Sequence, residues 1–122
     1  MYIEIDFDSD EAIYRQLCRQ IIMQIATNEL REGDSLPSVR DMAQEIGINM
    51  HTVNKAYSVL KEEGFLTVDR RRGAVVFIDK EKARAMQELR NDLTIALAKA
   101  SCKHITREDV HDLIDEICEE YE

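Results

Sequence analysis

The chain has no tryptophan, one proline, four glycines and three cysteines among its 122 residues. So little proline and glycine excludes collagen-like, low-complexity and loop-rich β architectures. The cysteines Cys18, Cys102 and Cys118 are odd in number and widely spaced, with no CxxC, so they give no disulfide framework. Each reads as a small apolar residue. No apolar run approaches the ~20 residues that span a bilayer. No basic-then-apolar leader opens the chain. The expectation is therefore a cytoplasmic protein with no membrane partner. There is no glycine-rich phosphate loop, nucleophile elbow or Ser/His/Asp grouping, so the chain does not read as an enzyme. Positive charge is scarce: 16 lysines and arginines face 25 acids, for a net charge of -9. Taken alone, that argues against nucleic acid, membrane surfaces and acidic substrates.

What is present is a 44% hydrophobic, 34% charged composition, enough for one small core. The charge is unevenly spread. Residues 1–37 carry three arginines against eight acids, and residues 79–122 carry seven bases against twelve acids. Between them, residues 38–78 carry six bases (Arg40, Lys55, Lys61, Arg70, Arg71, Arg72) against five acids. Solvated charges more than ~8 Å apart are largely screened at physiological salt. A twenty-residue helix is ~30 Å long. An acidic tail can therefore lie beyond electrostatic reach of a basic middle, and the overall sign does not veto DNA.

Residues 2–7 alternate apolar and acidic, which predicts a short edge strand. Asp8, Ser9 and Asp10 are candidate caps for a helix running from Ala12 to near Leu30, with Ile13, Leu17, Ile21 and Ile25 on one face. Arg31 to Asp34 predicts a turn. Ser38, with Asp41 three residues later, fits a capping box, and Val39, Met42, Ala43 and Ile46 give a short amphipathic helix. Gly47 stops it, Ile48 plugs the turn and Asn49 caps the next helix. There Val53, Ala56, Tyr57 and Leu60 recur at i, i+3, i+4 and i+7, so Tyr57 reads as core. Gly64 ends it. Phe65–Val68 and Val75–Ile78 flank a polar tip, as in a hairpin. Two further helices follow, separated by a break at residues 101–105. One carries Ala83, Met86, Leu89, Leu93, Ala96, Leu97 and Ala100 in a stripe; the other starts at Thr106 with Asp109 at the box position and carries Val110, Leu113, Ile114, Ile117, Cys118 and Tyr121.

Helix, three-residue turn, helix and a hairpin with a basic tip, preceded by a long helix, is the order of a winged helix-turn-helix. The expected fold is mostly α with a small β-wing, in residues 1–78, followed by a two-helix dimerisation segment in 79–122. With Val53, Ala56, Tyr57 and Leu60 turned inward, the opposite face carries Met50, His51, Thr52, Asn54, Lys55 and Ser58. These are short or medium polar side chains near a helix N-terminus, where a recognition helix reaches base edges in the major groove.

Leu36-Pro37-Ser38-Val39-Arg40, the run Asn49-Met50-His51-Thr52-Val53-Asn54-Lys55-Ala56-Tyr57, then Leu60, Glu63-Gly64 and Arg72-Gly73 together resemble the GntR family of bacterial transcriptional regulators. The short two-helix tail is similar to the YtrA-type subfamily. Two positions depart from the family pattern: Ala74 stands where many members have a second wing glycine, and Ala12 where many have proline. The resemblance implies DNA contacts at Arg40, Asn49, Met50, His51, Thr52 and Asn54, and in the wing near Arg71, Arg72 and Gly73. The residues themselves suggest nearly the same set. Arg40 has a planar fork suited to phosphate or guanine. His51 and Asn54 are candidates for base readout, and Lys55 and Arg70 for phosphate contact.

Two terminal helices alone have too little interior to hide both apolar stripes. A second copy would complete a four-helix bundle through Met86, Leu89, Leu93, Leu97, Val110, Leu113, Ile114 and Ile117. The expected protein is a homodimeric regulator, a repressor on double-stranded DNA, with a near-palindromic operator. Two other readings compete: a winged-helix module for protein interaction, and a metal- or thiol-responsive regulator. Cys102, His104, His111 and Cys118 lack the CxxC or HxxxH spacing of a zinc site, so no metal and no cofactor is expected. The tail offers little room for a ligand pocket, and the sequence leaves the existence and identity of a small-molecule effector open.

Overall fold

In the computed structural model, which describes residues 1–122, the apolar stripes become five helices and a two-stranded sheet. The helices are α1 (Ile13–Ala26), α2 (Val39–Ile46), α3 (Met50–Glu62), α4 (Lys82–Cys102) and α5 (Arg107–Glu119). Strands β1 (Leu66–Asp69) and β2 (Gly73–Val76) lie between α3 and α4. The chain divides into two units, Met1–Asp79 and Lys80–Glu122. In the first, α1 and α2 both pack on α3, and the core is Leu17, Ile21, Met42, Ala43, Val53, Ala56 and Leu60, closed by Leu66 and Val76 of the sheet. Each of the larger side chains in this set, from valine upward, stabilises by roughly 1.5–3 kcal/mol through burial. Cys18 belongs to this core. Its thiol donates to the Ala56 carbonyl at 3.5 Å, and burial, reinforced by Glu63, pushes its pKa up to about 11. It is a thiol, not a thiolate, at neutral pH.

Residues 2–7 do not form the expected edge strand; they belong to no sheet. Their pairing partners are instead glutamine side chains on α1. Gln16 accepts from Asp6 N–H and donates to Asp6 O, both at 2.9 Å. Gln20 does the same for Glu4, at 2.9 and 2.6 Å. Gln24 donates to Tyr2 O at 2.7 Å. Four helical residues advance ~6 Å, and two extended residues ~6.6 Å, so every fourth side chain of α1 meets every second residue of the segment. The amides imitate a neighbouring strand. Alternation in the segment arises because Ile3 and Ile5 are half-buried while Tyr2, Glu4 and Asp6 are exposed.

α1 also begins and ends differently from expectation. Its N-cap is Ala12, without a side-chain bond, rather than Asp8, Ser9 or Asp10. It stops at Ala26, because Asn28 turns left-handed (φ 64°) and Leu30 N–H folds back onto Gln24 O at 3.0 Å. That places Leu30 in the core as a loop residue.

The helix-turn-helix follows the sequence reading closely. Ser38 Oγ caps α2 by accepting from Asp41 N–H at 3.1 Å, half of a capping box. Gly47 takes φ 71°, a left-handed conformation that costs a side-chain-bearing residue roughly 1 kcal/mol or more. Ile48 is half-buried against the core and Asn49 caps α3. The hairpin is antiparallel, Leu66 opposite Val76 and Asp69 opposite Gly73. Its strands sit nearer the tip than the apolar runs suggest, so the loop is only Arg70–Arg72. Residues 33–36 add a further edge on β2: Gly33 N–H donates to Val76 O, Val76 N–H to Asp34 O and Leu36 N–H to Ala74 O, at 2.8–2.9 Å.

In the second unit α4 runs through Cys102, two residues into the expected break, and His104 supplies the left-handed turn (φ 60°) after it. Thr106 and Asp109 form a complete capping box at the start of α5. Neither helix buries a single residue.

Candidate nucleic-acid interface

α3 has one face locked inward and one left open. Val53, Ala56 and Leu60 are fully buried, and Tyr57 is pinned by its hydroxyl donating to Pro37 O at 2.8 Å. Burial holds that phenol well above the usual tyrosine range, so it remains a neutral donor. The opposite face presents Met50, His51, Asn54, Lys55 and Ser58 to solvent, with Thr52 half-buried. The side chains of His51 and Asn54 bond to nothing within the chain, and neither does Arg40, exposed in the first turn of α2. Their donors and acceptors are hydrated and available for exchange with a ligand. Asn49 is partly committed, since its Oδ1 accepts from His51 N–H at 2.7 Å. It retains its amide N–H groups and a second Oδ1 lone pair for any other partner.

Lys55 is positioned by a residue of α1, Tyr14. Its ammonium lies 4.1 Å from the centre of the Tyr14 ring, a cation–π contact. Arg15 flanks the same ring, its Nε donating to Tyr14 Oη at 3.1 Å. The cluster brings two cations, Arg15 and Lys55, together beside α3. Only the packing of α1 on α3 creates it, and no spacing within the sequence announces it.

The wing tip is shaped by Asp69. One carboxylate oxygen accepts from Arg71 N–H at 2.7 Å and from Arg72 N–H at 3.3 Å. Gly73, at φ 74°, then returns the chain to β2. Ala74 lies in a regular strand opposite Val68, so the missing second glycine leaves the hairpin intact. The three tip arginines are not equivalent. Arg72 donates to the Gly33 carbonyl and ties the wing to the turn before α2, whereas the guanidiniums of Arg70 and Arg71 make no bond within the chain. The start of α2, the outer face of α3 and the wing meet around a cleft of about 340 Å³ lined by Ser38, Asn54, Ser58, Lys61, Val68 and Ala74, among others.

On the second unit, Met86, Leu89, Leu93 and Leu97 line one open groove of α4. Leu113, Ile114 and Ile117 of α5 are exposed, and Val110 is half-buried. Cys102 and Cys118 are exposed free thiols, and no group of three His, Cys, Asp or Glu side chains could hold a metal ion. No helix is long and apolar enough to cross a membrane.

A profile of bacterial regulatory proteins of the gntR family matches residues 13–76. The HTH-type transcriptional repressor YtrA of Bacillus subtilis (strain 168) is 32% identical over 121 residues, covering 94% of this chain and 91% of the repressor. Among solved structures, YtrA from Sulfolobus acidocaldarius, a GntR-family transcription factor, is 36% identical with 97% of each chain covered and a TM-score of 0.60. A transcriptional antiterminator from Listeria monocytogenes EGD-e matches with a TM-score of 0.86 at 26% identity, over 97% of this chain and 90% of its own.

Proposed function

The chain belongs to the GntR family of DNA-binding transcriptional regulators, in its YtrA-type branch, and from that premise we propose that it acts as a homodimeric repressor on a near-palindromic operator. The observation that carries this reading is the unpaired polar face at the start of α3, beside the free guanidiniums of Arg40, Arg70 and Arg71. His51 and Asn54 read base edges in the major groove, and Asn49, Met50 and Thr52 line the approach. Arg40 contacts a guanine or a phosphate. Lys55, Arg70 and Arg71 neutralise phosphates and set the register. Arg72 and Gly73 hold the wing in place for them. The relatives are transcription regulators rather than enzymes, and nothing in the site calls for a cofactor.

Dimerisation follows from exposed apolar surface. The stripes Met86–Leu89–Leu93–Leu97 and Leu113–Ile114–Ile117 lie open to water in a single chain, with Val110 half-buried at the head of the second. Contiguous apolar patches of this kind mark interaction sites in soluble proteins, and a second copy supplies the same patch in return. A twofold dimer sets two recognition helices in successive major grooves, about 34 Å apart.

Selection of bound fragments from random DNA, followed by a salt titration on the winning duplex, tests the function. A near-palindrome should emerge, and log affinity should fall linearly with log salt. Salt-insensitive binding to a protein, with no fragment enriched, would instead favour a protein-interaction module. Within that assay, Arg40→Ala is expected to weaken operator binding by about 1–3 kcal/mol if it makes a bidentate base contact. Its circular dichroism should match the parent, because Arg40 is exposed and unbonded.

A further inference from the structure

α3 contains no arginine, the side chain that most often pairs with guanine, and its Lys55 lies over the Tyr14 ring. Its first two turns offer an amide and a thioether instead. Met50 is the first residue of α3 and Asn54 follows one turn on, at i+4. Side chains so spaced are neighbours, with Cβ atoms about 5–6 Å apart. Asn54 is exposed and unbonded, so its carboxamide presents a donor and an acceptor side by side. Adenine shows the complementary pair in the major groove, an acceptor at N7 and a donor at N6. Met50 is 46% exposed, the one large apolar side chain that α3 leaves in water. The core takes Val53, Ala56, Tyr57 and Leu60 from this helix and leaves Met50 out. Helical side chains lean toward the N-terminus, so one in the first position extends past the helix end. Thymine carries an apolar group on its major-groove edge, the C5 methyl.

We propose that Met50 and Asn54 act as a pair that selects A·T in each half-site. Asn54 makes paired hydrogen bonds to an adenine, and Met50 covers the methyl of a thymine within one base pair of it. Consecutive bases lie about 3.4 Å apart along a strand, so one helical turn commands both. The unbranched, polarisable methionine chain adapts its shape to the methyl it meets. Met50 exposed to water gains nothing for the fold; against a methyl it removes apolar surface on both sides of the contact. The proposal rests on the DNA-binding reading and adds to it the base that this pair of side chains selects.

The test uses the full chain and the operator selected from random DNA. Each thymine is replaced in turn by deoxyuridine, which lacks only the methyl, and affinity is measured for the parent, Met50→Ala, Met50→Leu and Asn54→Ala. At one thymine the parent should lose about fourfold in affinity per half-site, the worth of one buried methyl. Met50→Ala should bind the unmodified operator more weakly and be indifferent to the same replacement. Met50→Leu, apolar and of similar size, should keep most of the discrimination. The adenine within one base pair of that thymine is then exchanged for an analogue with carbon in place of N7. The parent should lose about threefold or more for the missing acceptor, and Asn54→Ala should lose nothing further. A parent that tolerates every deoxyuridine overturns the proposal. So does a Met50→Ala protein as sensitive to the methyl as the parent, which would hand that contact to His51 or Thr52. If no fragment is enriched and no duplex is bound at any salt, the DNA-binding reading itself fails, a different result from tight binding that ignores the thymine methyls.

Discussion

Replacing Leu113 with aspartate is expected to convert dimers into monomers and to weaken operator binding by roughly 100-fold or more. Leu113 sits mid-stripe on α5 between Val110 and Ile117, and more than half of its surface is exposed in the single chain. In the proposed bundle that surface is buried against a second copy. Twofold symmetry doubles the effect of any single change. An unpaired carboxylate taken out of water costs several kcal/mol, well beyond what such an interface can spare. Without the interface, each recognition helix binds its half-site alone, and the advantage of the second, intramolecular contact, on the order of 100- to 10,000-fold, disappears. The unit Met1–Asp79 has its own core, so its cooperative melting should persist. Sedimentation velocity and an operator titration on the same sample check both halves. A dimer that survives the substitution with unchanged affinity would place the interface elsewhere.

The parts of this molecule that were legible in its sequence are those set by local rules. Ser38, Gly47 and Asn49 have one structural use each at their spacing, and the inward stripe of α3 follows from helical periodicity alone. The open face of α3 was then legible by subtraction. The wing could be located but not framed: strand ends depend on where Asp69 folds its carboxylate over the tip, and β-branched runs do not report that. Longer-range pairings left no trace in any window. Residues 31–34 read as a turn, yet Gly33, Asp34 and Leu36 bond to β2 all the same. Tyr14 reads as a flank of the α1 stripe, beside Ile13 and Leu17, yet it carries Lys55 on its ring because α1 packs on α3. The Tyr2–Phe7 segment misled for a physical reason. Alternation of apolar and polar residues records a half-buried extended chain, and it is the same whether the groups that satisfy its backbone are another strand or a row of glutamines.

That row supports a further prediction. Gln16→Ala is expected to lower the unfolding free energy by about 2–4 kcal/mol, whereas Gln20→Ala should cost less than about 1 kcal/mol. Gln16 is 2% exposed and makes three bonds of 2.9 Å, with Asp6 N–H, Asp6 O and Glu11 O. Its loss leaves three backbone groups short of partners at a site that admits little water, and a small void beneath them. Gln20 makes two bonds of the same kind, but it is only half-buried and water can replace its amide. Urea unfolding of the two variants measures the difference. Gln16→Leu separates the two components of the larger effect, since it restores most of the volume and none of the hydrogen bonds. If the leucine variant recovers parental stability, packing rather than the amide holds the segment. If it remains as unstable as the alanine variant, and hydrogen exchange at Asp6 N–H accelerates in both, the amide is what fastens residues 2–6 to α1. The N-terminal segment is then part of the same cooperative unit as the core that orients α3, because Gln16 lies one residue from Leu17 and five from Ile21, both fully buried against it.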